Sequence, residues 1–290
     1  MATTDLLLEG LDFGEAPRWY EGRLWFSDLY RGAVYAVDTE GREERIVAVD
    51  GQPNGLGWTP HGHMLVVSMV PRRVLRQEYN GDLVSFADLN DLATFHANDM
   101  IVDRNGRAFV GNLGYDLHED LLNRSPQEVL ADESAGLATL ARVEPDGSVH
   151  EAARDLRLPN GMALLDDERT LVVAETLGLR LTAFEVEPLG RLKGRRVWAS
   201  TADAPNGPVA PDGIAADPQG GIWVANSLGA ECVRFAEGGE VTAHVETRQP
   251  CYACALGGED GHTLFCMTAP TSLPGEVAGR GRGTVEVAQV

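Results

Sequence analysis

Three observations predict an all-β chain closed into a six-bladed β-propeller with four antiparallel strands per blade. The first is repetition: one short plan recurs along the 290 residues at intervals of about 40 to 60 residues, the spacing of radial arrays. The second is composition, because 33 Gly and 15 Pro with 7% aromatics suit many short strands joined by tight turns. The third is the period-two alternation of apolar and polar residues between those turns. Length alone would permit two domains, but blades that bury their faces only against neighbours let one ring grow past the usual core size.

The plan is plainest at Pro211-Asp212-Gly213, followed by an acidic turn at Asp217 and the β-rich run Ile222-Trp223-Val224-Ala225-Asn226. The other units open at Glu15-Ala16, Asn54-Gly55, Asn98-Asp99, Asn160-Gly161 and Cys254-Ala255. Unit one continues through Trp25 to Asp28, Val34 to Val37 and Arg45 to Val49, with turns at Tyr30 to Gly32 and Asp38 to Gly41. Unit two places His61-Gly62-His63 at a hairpin turn and Val74 to Tyr79 before Asn80-Gly81. Unit three carries the largest insertion, about residues 113–139, where His118 to Asn123 and Pro126 to Ala131 read as helical turns. An excursion of that length from a regular scaffold is expected to act as a flap over one end of the channel. Unit four runs through Leu171 to Glu175 and Leu181 to Val186, and Glu175 and Glu185 are expected on solvated faces. The terminal run Gly283 to Val290 reads as a strand able to pair with Thr4 to Leu8 or with a neighbouring blade. A closed ring needs such a clasp, since it leaves no long strand edge exposed.

Charge narrows the partners. With 24 basic and 44 acidic residues the chain carries a net −20, a field that repels phosphate backbones and anionic lipid. No run approaches the roughly 18 apolar residues of a membrane span. The first ten residues lack the basic start and apolar stretch of a secretory signal. Four cysteines, Cys232, Cys251, Cys254 and Cys266, do not make a disulfide scaffold in a chain of this size. The expectation is a cytoplasmic monomer or weak homo-oligomer acting on a small molecule, without nucleic acid or membrane as partner.

In each blade the innermost strand follows the opening residue, so Glu15, Asn54, Asn98, Asn160, Asp212 and Cys254 are expected to meet around the axis at one mouth. Asn-Gly and Asp-Gly are also common turn dipeptides, but their recurrence at one point of successive repeats, and a glutamate at position 15, argue for a shared site. Converging carboxylates and amide carbonyls are hard ligands, suited to Ca²⁺, Mg²⁺ or Mn²⁺ and able to take Zn²⁺ or Fe²⁺, with Ca²⁺ favoured.

Together with Gly14-Glu15-Ala16-Pro17-Arg18-Trp19, Trp25-Phe26-Ser27-Asp28, Asn98-Asp99, Val102 to Gly106, Leu158-Pro159-Asn160-Gly161, and Pro211-Asp212-Gly213 with Gly221 to Ala225, the chain resembles the SMP-30/gluconolactonase/luciferin-regenerating enzyme (regucalcin-like) family. The resemblance implies one divalent metal on the axis held by Glu15, Asn160 and Asp212, with Asn98 beside it contacting water or substrate. It also implies hydrolysis of sugar lactones and other cyclic esters. His96 stands where family members carry a sugar-gripping arginine, and Gly111 to Asp116 departs from the acidic version of sugar lactonases; His96, Tyr115 and Asp116 are expected to contact substrate. A lactone carbonyl polarised by the metal would be attacked by water, with Asp212 taking the proton.

Other motifs carry less. His61 and His63 fit a solvated hairpin, and Cys251-Tyr252-Ala253-Cys254 lacks a second pair or a βαβ context. No Gly-x-Ser-x-Gly elbow or Walker A sequence occurs, and Gly279-Arg280-Gly281-Arg282-Gly283 reads as a flexible loop. The competing readings are the same site acting on an organophosphate or epoxide, and a calcium-binding propeller without turnover.

Overall fold

The computed structural model describes residues 2–290 and is a six-bladed propeller. Blade one comprises Gly14–Tyr20, Arg23–Asp28, Ala33–Val37 and Glu43–Ala48; blade two Pro53–Trp58, Met64–Ser68, Arg73–Gln77 and Leu83–Asp88. Blade three holds Ala97–Val102, Ala108–Asn112, Leu137–Val143 and Val149–Arg157, and blade four Pro159–Leu165, Thr170–Glu175, Arg180–Val186 and Leu192–Ser200. Blade five is Pro211–Ala216, Ile222–Asn226, Glu231–Phe235 and Val241–Glu246. Blade six takes Cys251–Gly257, Thr263–Thr268 and Gly283–Gln289 from the end of the chain and its outermost strand, Asp5–Leu11, from the beginning.

That last pairing is the clasp, with Asp5 opposite Val287 and Leu11 opposite Gly283. Ala2–Thr3 adds a short parallel edge to blade five, pairing Ala2 with Val245, so the first residues tie two blades at once. At the junction the buried Glu286 carboxylate accepts from the hydroxyls of Thr4 and Thr268 and from the Arg248 amide. The Gly279 to Gly283 stretch is held too, its Gly279 and Gly281 amides donating to Asp12 at 2.7 and 3.0 Å.

The acidic turns of the repeat explain themselves locally. Asp217 accepts from the amides of Gln219 and Gly221, which closes the hairpin, and pairs with Arg234 at 2.6 Å; Gly220 supplies the left-handed residue at φ 80°. Asp38 and Asp103 repeat the device with Arg42 and Arg107. Apolar residues on the strand faces form a series of clusters between adjacent blades: Phe26 with Phe265 and Met267 between one and six, Phe109 with Met162 and Phe184 between three and four, Trp198 with Val224 and Phe235 between four and five. Each such aromatic contributes roughly 1.5–3 kcal/mol by leaving water.

The glycines after the polar openers are not turn residues. Gly55, Gly161 and Gly213 lie in inner strands packed against the next blade, where a Cβ would stand 2.4 Å from the Met100 amide nitrogen, 2.5 Å from that of Ile214 and 2.6 Å from the Ala253 Cα. Close approach of backbones around the axis, not a hairpin, requires glycine there.

Candidate metal centre and cavity

Every inner strand breaks register with its neighbour at the opening residue: between Glu15 and Arg18, Pro53 and Leu56, Ala97 and Met100, Pro159 and Met162, Pro211 and Ile214, and Cys251 and Ala253. A bulge re-aims the side chain beside it. Repeated around the ring, it brings Glu15, Asn54, Asn98, Asn160, Asp212 and Tyr252 into one cavity of about 250 Å³.

The sixth position corrects the sequence reading. Counted from the bulge, the residue equivalent to Asp212 is Tyr252, whereas Cys254 lies two residues on, opposite Cys266, with its Sγ against the carbonyls of Gly213 and Trp223 in the seam between blades five and six. All four cysteines are buried in or beside that seam.

A hydrogen-bond chain orients the amides. Asn54 Nδ2 donates to Asn98 Oδ1 at 2.8 Å, Asn98 Nδ2 to Asn160 Oδ1 at 3.1 Å, and Asn160 Nδ2 to Thr176 Oγ1 at 3.2 Å; Thr176 in turn donates to the Pro211 carbonyl at 2.7 Å. Glu15 and Asp212 close the circle, each 7% exposed. Burial first, then the charges of Asp212 and Asp99, push the Glu15 carboxyl well above the usual carboxylate range. Burial and Asp99 do the same to Asp212, opposed in part by Asn160 beside it. Asp99 itself is paired with Arg18, whose guanidinium donates to its Oδ1 at 2.9 Å and to the Met100 carbonyl at 2.6 Å.

These residues fit a hard divalent cation. Asp212 Oδ1 and Asn54 Oδ1 are buried without a hydrogen-bond partner among the described residues, an expensive state for a polar oxygen. Among the described residues neither Glu15 nor Asp212 is in an ion pair, and no three His, Cys, Asp or Glu side chains gather in metal-binding spacing. The donor set is thus two carboxylates with amide oxygens, the chemistry of Ca²⁺ or Mg²⁺ more than of a soft metal.

The insertion forms two helices, Leu117–Asn123 capped by Asp116 and Pro126–Ala131 capped by a Ser125–Glu128 capping box, and both contribute to the cavity wall. Of the residues expected to touch substrate, Asn98 lines the cavity, whereas Tyr115, Asp116 and His96 lie outside its lining. Asp116 is occupied as the helix cap, accepting from the Glu119 amide. Tyr115 packs beneath the helices with Val129 and Leu158. His96 stacks on Phe95 at a ring distance of 4.2 Å, outside the lining. His118 lines the cavity instead, its pKa held below the ordinary range chiefly by burial.

Glu175 is a second correction, for it is fully buried rather than solvated; it binds Arg180, Thr182 and the Arg157 amide, and Arg157 reaches on to the Leu130 and Asp132 carbonyls at the insertion's base. Glu185 is exposed as expected. His63 stays at its hairpin, bonded to the Gln77 carbonyl at 2.9 Å. No helix among the described residues is long and apolar enough to cross a membrane.

Known proteins of similar sequence and fold place the chain. The pentonolactonase XacC of Haloferax volcanii is 26% identical over 273 residues, spanning 93% of this chain and 86% of its own. The 6-deoxy-6-sulfogluconolactonase of Pseudomonas putida is 25% identical, covering 88% and 83%. A solved gluconolactonase from Xanthomonas campestris superposes with a TM-score of 0.75 at 25% identity, covering 98% of this chain and 89% of that one. Residues 13–270, which carry all six openers, match the SMP-30/Gluconolactonase/LRE-like region, and the chain therefore belongs to the SMP-30/gluconolactonase/LRE-like family.

Proposed function

We propose that this chain is a metal-dependent lactonase, a hydrolase of small cyclic carboxylic esters, with Glu15, Asn160 and Asp212 holding the ion and Ca²⁺ its first candidate. The observation that carries the reading is the pair of buried acidic side chains lining one cavity, with an Asp212 oxygen that has no hydrogen-bond partner among the described residues. Buried carboxylates that share one site cost stability unless a cation answers them. The names of the lactonase relatives support the same chemistry.

An ion held by Glu15, Asn160 and Asp212 would supply the positive charge that polarises an ester carbonyl and stabilises an oxyanion. The chain's own side chains do the rest. Asp212 accepts the proton of the attacking water, and the ring ester opens to a hydroxy acid when that proton passes to the leaving alkoxide. Asn98, its Nδ2 committed to Asn160 and its Oδ1 to Asn54, is held rigid at the cavity floor to orient water or the ester. The Thr176 hydroxyl, between Asn160 and the Pro211 carbonyl, keeps the Asn160 oxygen turned toward the axis. The insertion covers this floor and limits water.

The test is a panel of sugar, aliphatic and aromatic lactones, assayed after chelation and after return of single metals. The reading predicts hydrolysis that chelation abolishes and one divalent ion restores. Hydrolysis indifferent to chelator refutes the metal role, and silence on every lactone with intact cation binding moves the chain to a binding function or to another electrophile.

A further inference from the structure

The cavity has two unlike ends. Its floor is the polar ring just described. Its wall and roof are apolar, supplied on the insertion side by Leu117, Leu121, Val129 and Leu130 and on the blade side by Leu158 and Leu177. Leu117 and Leu121 sit four residues apart, on one face of their helix, so both turn toward the cavity while Leu122, next in sequence, is exposed.

The few polar groups of the wall are largely committed to the protein. Thr176 donates to the Pro211 carbonyl, Ser227 to that of Ala210 at 3.2 Å, and Tyr30 to that of Ser272 at 3.0 Å. Away from the floor, among the described lining residues, Thr271, Ser272 and His118 keep a side-chain donor that no protein group takes up. Among the described lining residues none is lysine or arginine. A polyhydroxylated ring would bury hydroxyls without partners, and an anionic substituent would enter a site holding two carboxylates and, among the described residues, no lysine or arginine.

We propose that the substrate is a neutral lactone bearing an apolar alkyl or aryl substituent, its ester at the polar floor and its substituent under the insertion. This rests on the lactonase reading and departs from the sugar lactones in the names of the pentonolactonase and sulfogluconolactonase relatives. Apolar lining of this kind rewards each buried methylene by about fourfold in affinity. A cavity of about 250 Å³ sets where that gain stops, at a ring with a short chain.

Two arms test it on the full-length, metal-loaded protein. The first measures kcat/KM for γ-lactones with unbranched side chains of increasing length beside glucono-δ-lactone. The second measures calorimetric affinity for the corresponding γ-lactams, which report binding without requiring turnover. The inference expects kcat/KM to climb about fourfold per methylene to a plateau, at least 100-fold above the sugar lactone. Lactam affinity should climb with it, and Leu121→Asn should flatten both slopes while its melting curve shows the fold intact. A glucono-δ-lactone rate equal to or above the best alkyl lactone, or lactam affinity independent of chain length, overturns the inference while leaving the lactonase reading standing. Lactams that bind in proportion to chain length with no lactone hydrolysed overturn that reading and keep the apolar ligand.

Discussion

The floor and the roof of the cavity are made by opposite means. The floor is the sum of the repeats: each blade contributes one side chain, aimed by the same bulge and clamped by backbone packing at Gly55, Gly161 and Gly213. The roof comes from a single excursion between the second and third strands of blade three, two helices of 7 and 6 residues resting on leucines. A polar ring that cannot shift without disturbing the propeller suits chemistry. A short, apolar, non-repeated cover suits choice of ligand, because it can vary without touching the ring.

The sharpest way to break this division is at the floor. Asp212→Asn keeps the side chain's shape and removes its charge. It should lower kcat/KM on the order of 10³-fold, while the metal-free protein melts no lower than wild type because one of the buried acidic charges around the site is gone. Steady-state kinetics beside thermal melts of chelated protein check both halves, and a metal-free variant that melts well below wild type would mean Asp212 serves structure instead.

The ring's rigidity predicts the next effect. Gly213→Ala drives a Cβ to within 2.6 Å of the Ala253 Cα, and should cost about 3 kcal/mol in urea denaturation. A loss of only a few tenths would show that the inner strands yield easily.

Glu175 joins the two regions, since it anchors Arg157, which holds the insertion's base. Burial works against its charge, but hydrogen bonds from Arg180, the Arg157 amide and Thr182 outweigh it and hold its pKa below the ordinary glutamate range. The folded-state value is the lower one, so this stabilisation is fully present above the unfolded pKa and is lost as pH falls through the folded value. Glu175→Gln should cost about 2 kcal/mol at neutral pH and flatten the acid limb of stability against pH, read by denaturant titration from pH 7 down to 3. Parallel acid limbs in the two proteins would remove Glu175 from that role.

The smallest global effect belongs to the roof: Leu121→Asn, on a half-buried helix outside the ring, should change stability by less than about 1 kcal/mol. A larger loss would make the insertion part of the propeller's core.

How much could be read in advance follows the same division. Glu15, Asn54, Asn98, Asn160 and Asp212 were legible because the ring repeats one offset, so each copy corroborates the others. Blade six escaped because Cys251-Tyr252-Ala253 has neither the glycine nor the small polar opener; only the bulge, a property of strand pairing, identifies Tyr252. The insertion has no second copy to compare. Its helices were visible in local sequence, but whether Tyr115, Asp116 or His118 faces inward depends on a cap and a packing angle that no repeat encodes. Glu175 was misplaced for a related reason: its partners Arg157 and Arg180 lie 18 and 5 residues away, and only the folded sheet brings them to one carboxylate.

The central claim is that Glu15, Asn160 and Asp212 jointly hold one divalent ion on the axis. Calorimetric titration of Ca²⁺ into chelator-treated protein tests it most directly, beside Glu15→Gln and Asp212→Ala. The account predicts one ion per chain in the wild type and no measurable site in either variant, each still folded by its melting curve. Binding at full stoichiometry and unchanged affinity in both variants would contradict it.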